Sequence, residues 1–209
     1  GATLLCDSAF DPSTTTHFLS SENCTHPGAG TPFHMAYLAA QRKQPEAKLF
    51  PNVKNFHGGG APKPIQLHSE VKAELGGSGI VSGWGLTEAP ILTMGASTDP
   101  DEKLALTEGK AMPGVELTAV DAKGRNVAPG EEGELRAKAP QLMLGYLDAN
   151  LDKDAFDEHG YFRTGDLGVI DEDGYVVISG RLKDVIIRHG ENISAKEVED
   201  ILFQHQSVQ

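Results

Sequence analysis

Between residues 53 and 82 the sequence runs through an apolar stretch, three consecutive glycines, a helical stretch and a second apolar stretch, and few folds accept that order. Residues 53–56 read as a buried strand broken by Gly58, Gly59 and Gly60. A helix is predicted from about Pro64 to Leu75, and Ile80–Ser82 is the next strand. A strand, crossover helix and strand lie with their strands parallel and gather ligands at the carboxyl ends. Upstream the same alternation continues. Residues 3–5 are short and apolar, and Asp11-Pro12 reads as a helix cap with proline in the first turn. Thr31-Pro32 repeats that start, followed by Phe33, Tyr37 and Ala40 at helical spacing.

From about Gly109 the texture changes. Residues 115–120 alternate, Lys123-Gly124 marks a turn, and residues 133–137 are again strand-like. Residues 167–170 and 175–179 flank Asp171-Glu172-Asp173-Gly174, a hairpin signal. A calcium loop of the EF-hand type sits between helices, so the acidic segment reads as a turn. Residues 184–188 form a further strand, and Gly190 opens a loop into the last helix. There Ser194 and Glu197 make a capping box, with Ile193 and Val198 as its hydrophobic staple. Val198, Ile201 and Leu202 give that helix one apolar face, which must pack on something.

Composition serves mainly to exclude. The formal net charge of −12 gives no sequence-wide reason to hold a polyanion, so no nucleic-acid partner is expected. No apolar run approaches the ~20 residues of a membrane helix, and no basic-then-apolar leader opens the chain. Cys6 and Cys24 fit neither a disulfide framework nor a zinc pattern, and read as reduced thiols in a cytoplasmic protein. The eight histidines are scattered without ligand-like pairing. Gly76-Gly77-Ser78-Gly79-Ile80 lacks the last glycine of a nucleophile elbow, and Gly109-Lys110 lacks the rest of a phosphate-binding Walker run.

What remains is polar chemistry concentrated in turns. Gly58, Gly59 and Gly60 let a ligand approach bare backbone, as any flexible turn would. Trp84, between Gly83 and Gly85, can lie open to a purine, and Thr87 and Glu88 can take a phosphate oxygen and Mg2+; a core Trp and a solvated Thr-Glu pair account for the same residues. Asp166 follows glycine at a strand start, where one carboxylate can accept from both hydroxyls of a ribose or simply satisfy turn amides. Arg181 can fork onto phosphate or ribose oxygens, or form a surface ion pair.

Four motifs then appear in order: GGGAP from residue 58, GWGLTEAP from 83, YFRTGDLG from 161 and GRLKDVIIRHGENISAKEVE from 180. Together they resemble the adenylate-forming superfamily, which contains acyl-CoA synthetases, luciferases and peptide-synthetase adenylation domains. The last motif is most similar to acyl-CoA ligases. The resemblance implies part of a parallel α/β sheet in residues 1–105, a distorted β-barrel-like subdomain in 106–181, and in 182–209 a hinge with the start of a small α+β lobe. It implies an ATP-dependent carboxylic acid:CoA ligase acting on a fatty or alicyclic acid, by way of an acyl-adenylate and release of pyrophosphate and then AMP. Gly58, Gly59, Gly60 and Ala61 would border the adenine and acyl pocket, and Trp84 with Gly83 and Gly85 would lie near adenine. Thr87 would bind the α-phosphate, Glu88 Mg2+, Asp166 the ribose, and Arg181 the nucleotide. Lys183 would be the hinge and Gly190 part of the pantetheine path. The family's phosphate loop and its catalytic lysine match nothing in these residues, so this internal segment is expected to be inactive by itself. An acceptor other than CoA, such as a carrier protein, and a non-catalytic nucleotide-binding module both stay open, as does a homo-oligomer. His57 and His189 depart from the family pattern.

Overall fold

The computed structural model describes residues 2–28, 30–60, 63–188, 191–193 and 195–203. The chain divides into two compact units, one of residues 1–82 and 95–106, the other of residues 83–94 and 107–209.

The first unit contains α1 (Thr14–Ser21), α2 (Thr31–Arg42), β1 (Phe56–Gly58), α3 (Ile65–Glu74), β2 (Ile80–Ser82) and α4 (Asp101–Leu106). β1 and β2 are parallel, with Phe56 opposite Ile80, and α3 is the crossover that the sequence predicts. Asp11 caps the first helical turn by accepting the Ser13 and Thr14 amides at 3.0 and 2.8 Å. β1 begins later than residue 53, because Lys54 spends its amide on Thr25 O and its carbonyl on the Ser78 amide, both at 2.8 Å. It also takes in Gly58, where a Cβ would stand 2.9 Å from Ile80 Cγ2, so glycine lets the two strands approach. On α3, His68 accepts the Ile80 N–H on Nδ1 at 3.2 Å. Tyr37, Phe50, Phe56, Leu67, Val71 and Ile80 form the core, each buried side chain worth about 1.5–3 kcal/mol. No strand forms at residues 3–5. Leu4 is 86% exposed there, and no strand among the described residues supplies a ladder for so short a run.

The second unit contains β3 (Thr93–Met94) paired with β4 (Lys110–Ala111), and an antiparallel sheet in the order β5 (Glu116–Val120), β6 (Glu132–Lys138), β7 (Phe162–Ile170), β8 (Val176–Arg181). The short α5 (Asp152–Ala155) precedes β7, and a 3-10 turn at Leu182–Asp184 follows β8. β9 (Ile186–Arg188) and β10 (Glu191–Ile193) form a hairpin ahead of α6 (Ala195–Phe203). The architecture is therefore α/β plus β. The barrel-like part is an open four-stranded sheet, with β5 and β8 as its edges among the described residues.

The acidic turn is built as expected: Asp171 accepts the Asp173 and Tyr175 amides, and Gly174 takes φ 83°. β7 starts at Phe162 rather than 167, because Phe162 and Arg163 pair with Ala137 and Arg136. Between those pairs and Leu167 opposite Glu134 the register slips, and residues 164–166 bulge out opposite Leu135. The strand expected at 184–188 shortens to β9, its first residue being taken by the 3-10 turn. Ser194 and Gly190 lie outside the described residues, and so does the capping box. On α6, Val198, Ile201 and Leu202 are exposed. No helix of the described residues is long and apolar enough to cross a membrane.

Candidate active site

The bulge in β7 builds the site. Gly165 takes φ 69°, a conformation that side chains disfavour, and the Thr164 hydroxyl donates to Leu135 O at 2.6 Å while accepting the Asp166 amide at 3.1 Å. Asp166 thus sits within a nine-residue strand, not at a strand start, and the bulge aims its side chain. The residue is 4% exposed, and its carboxylate is held from two directions. The Trp84 indole Nε1–H donates to Oδ2 at 2.8 Å, and Arg181, directly opposite in β8, forms an ion pair with the carboxylate, its Nε 3.0 Å from Oδ1. A buried carboxylate persists only with such partners. It offers about four lone-pair positions, and the two bonds leave capacity for a vicinal diol.

Trp84 is 7% exposed and packs with Ala89, Leu92, Leu135, Ala137 and Val176. Of the two readings that its flanking glycines leave open, an open ring or a core Trp, the burial is that of the core Trp. Those glycines answer a different need. Residues 83–94 fold back on themselves, with the Leu92 and Thr93 amides both donating to Trp84 O at 2.8 and 3.0 Å. A Cβ on Gly83 would stand 2.5 Å from Thr93 O, and one on Gly85 would collide with the Ile91 amide. The ring is a core residue whose one polar atom reaches Asp166.

Thr87 and Glu88 lie in the tight turn between Leu86 and Ala89, Thr87 exposed and Glu88 half-buried. Glu88 Oε1 accepts from the Tyr146 hydroxyl at 2.9 Å, and Glu88 O accepts the Met143 amide at 2.7 Å. Burial and the neighbouring Glu88 carboxylate push the Tyr146 phenol above its ordinary value. Tyr146 went unseen in the sequence because its partner is 58 residues away and Gly145-Tyr146 carries no local motif. Among the described residues no group of three or more His, Cys, Asp or Glu side chains converges as a metal cage. One half-buried carboxylate beside an exposed hydroxyl fits Mg2+, which is held by one or two carboxylates together with substrate phosphates.

Gly58, Gly59 and Gly60 belong to the first unit, whereas Gly83, Trp84, Gly85, Thr87, Glu88, Asp166 and Arg181 belong to the second. Gly60, at φ 73°, has no heavy atom of the described residues, its chain neighbours aside, within 4 Å of a Cβ position, so its backbone is bare on that side. Ala61 lies outside the described residues. Before the glycines, the exposed His57 ring stacks on His26 with centroids 5.7 Å apart, and His57 O meets His34 Nε2 at 3.0 Å. Burial lowers His34 to about 4. Burial and the His26 ring also lower His57. Lys183 is exposed in the 3-10 turn directly after Arg181.

A family described as AMP-binding enzyme matches residues 1–147. The medium-chain fatty-acid–CoA ligase of Escherichia coli (strain K12) is 38% identical over 200 residues, which are 95% of this chain and 35% of that protein. ATP-bound MatB from Rhodopseudomonas palustris is 30% identical at a TM-score of 0.83, over 94% of this chain and 38% of the other. The O-succinylbenzoate coenzyme A synthetase MenE of Bacillus subtilis, in complex with ATP and a magnesium ion, is 26% identical at a TM-score of 0.82, over 96% of this chain and 40% of the other. The chain spans about a third of the length of the curated relatives it matches.

Proposed function

The chain belongs to the AMP-binding enzyme family, and from that premise we propose that it forms part of an ATP-dependent carboxylic acid:CoA ligase. The observation that carries this reading is the convergence of Trp84 and Arg181 on the buried carboxylate of Asp166. In the proposed reaction a fatty or alicyclic carboxylate attacks the α-phosphate of ATP, pyrophosphate leaves, and the CoA thiol then displaces AMP from the acyl-adenylate. Asp166 holds the ribose hydroxyls, its orientation fixed by the indole N–H and by the β7 bulge. Arg181, half-exposed at the strand end, contacts the nucleotide while neutralising Asp166. Thr87 offers its hydroxyl to the α-phosphate. Glu88 supplies the protein ligand to Mg2+, which when bound offsets charge on the phosphates. Gly58, Gly59, Gly60 and Ala61 are assigned to binding the adenine and the acid, and Gly83, Trp84 and Gly85 to binding the nucleotide. Lys183 is assigned the hinge, and Gly190 the path of the CoA thiol. Such a site works by positioning and by charge stabilisation at phosphorus.

The test uses a full-length ligase carrying this sequence. Asp166→Ala is expected to weaken ATP binding at least ten-fold by calorimetry, the order of one lost charge-assisted contact. Unchanged affinity removes the ribose role. Lys183→Pro is expected to leave acid-dependent pyrophosphate exchange intact while abolishing thioester formation. Acyl transfer to a carrier protein in preference to CoA would replace CoA as acceptor, and nucleotide binding without pyrophosphate release would make this a binding module.

A further inference from the structure

We propose that Tyr146 is a positioning residue for Glu88, fixing which carboxylate oxygen is presented to a divalent cation. The inference rests on the role proposed for Glu88 above. Three ties join the loop after β6 to the turn after Trp84: Gln141 Nε2 donates to Ile91 O at 2.9 Å, the Met143 amide donates to Glu88 O at 2.7 Å, and the Tyr146 hydroxyl donates to Glu88 Oε1 at 2.9 Å. The first two hold backbone to loop. Only the third acts on the Glu88 side chain.

The loop is itself braced. Asp152, at the start of α5, accepts the Tyr146 amide on Oδ1 at 2.9 Å. It packs so closely that a Cβ on Gly145, at φ 155°, would stand 2.7 Å from Asp152 Oδ2. The Tyr146 ring therefore leaves a fixed anchor, and its hydroxyl proton occupies Oε1. Glu88 Oε2 accepts no hydrogen bond from the described residues and is the oxygen left for a cation. Unbraced, a half-buried glutamate samples several rotamers, and only some would present that oxygen. Hydrogen-bond partners behind metal ligands commonly matter ten- to a hundred-fold in affinity.

The test measures Mn2+ affinity by electron paramagnetic resonance, with ATP present, in the full-length ligase carrying this sequence. Tyr146→Phe is expected to weaken Mn2+ binding about ten-fold. ATP affinity in the absence of metal and the melting temperature are expected to stay unchanged. Raising Mg2+ is expected to restore turnover, which would not happen if the ring merely held the loop. Wild-type Mn2+ affinity in Tyr146→Phe overturns the proposal. In a Glu88→Gln background, Tyr146→Phe should cause no further loss of the residual affinity; an additive loss overturns the proposal too, and marks Tyr146 as structural. Glu88→Gln alone separates the two readings. If it leaves Mn2+ binding intact, the metal role of Glu88 fails; if it abolishes binding while Tyr146→Phe is silent, only the brace fails.

Discussion

The first unit buries His34 and His68 as neutral imidazoles and Lys63 as a cation whose ammonium donates to a backbone carbonyl, while the second sets its buried charges, Arg136 and Asp166, in ion pairs. In the second unit Arg136 donates to Glu134 Oε2 at 2.9 Å and to Asp157 Oδ2 at 3.0 Å, and Arg181 forms an ion pair with Asp166. Burial pushes the Asp157 carboxyl up, but the Tyr161 amide and the Arg136 guanidinium more than offset it and leave it below its ordinary value. The difference teaches that the two units answer to different insults. Neutral buried imidazoles are vulnerable to acid, and paired buried charges to loss of a partner.

Removing the shared cation should have the largest effect. Arg136→Ala leaves the partly buried Glu134 and Asp157 carboxylates without their cation and is expected to cost about 4 kcal/mol, read from the denaturant midpoint. A loss near zero would mean that the second unit does not depend on pairing. Acid should come next. His34 protonates at about 4 when folded, against 6.5 as its ordinary value, because burial disfavours the cation and Lys63 lies nearby. Above pH 6.5 both states are neutral and the contribution is complete. As pH falls from 6.5 towards 4 the unfolded chain takes up a proton that the folded chain refuses, and stability drops by about 3 kcal/mol. His34→Gln should flatten that slope in a urea series, and an unchanged slope would assign it elsewhere.

Glycine sharpens the same contrast at smaller scale. Gly83→Ala forces a side chain against Thr93 O and should cost about 2 kcal/mol of stability. Gly60→Ala meets open space and should cost only about 1 kcal/mol, from its positive φ. Equal losses at the two positions would erase the distinction between a crowded glycine and a bare one.

That distinction marks the limit of what the sequence discloses. The strand–helix–strand unit was legible because Ile80–Ser82 is a short apolar run and glycines set off both it and the helical stretch before it. The 171–174 hairpin was legible because its turn residues bond locally. Gly83 and Gly85 look the same as Gly58 to Gly60 on paper, yet they serve a backbone fold-back that only three-dimensional crowding reveals. The early start of β7 was hidden because Arg163, Thr164 and Gly165 lack alternation, and their pairing depends on a bulge opposite Leu135. Asp166 was singled out, but its grip by an indole 82 residues away has no local signature. The Tyr146 tie to Glu88 is hidden for the same reason.

Residues 83–94 belong to the second unit, although the residues on both sides of them belong to the first. The backbone therefore passes between units at 82/83 and again at 94/95 before its last passage near 106/107. No single crossover with a relative can exchange one unit whole: a splice near 106 leaves the imported sheet with the host's Trp84 and Glu88. Hybrids joined there inherit a mismatched partner for Asp166 or Tyr146, while grafting residues 83–94 together with everything after 106 keeps both bonds within one parent.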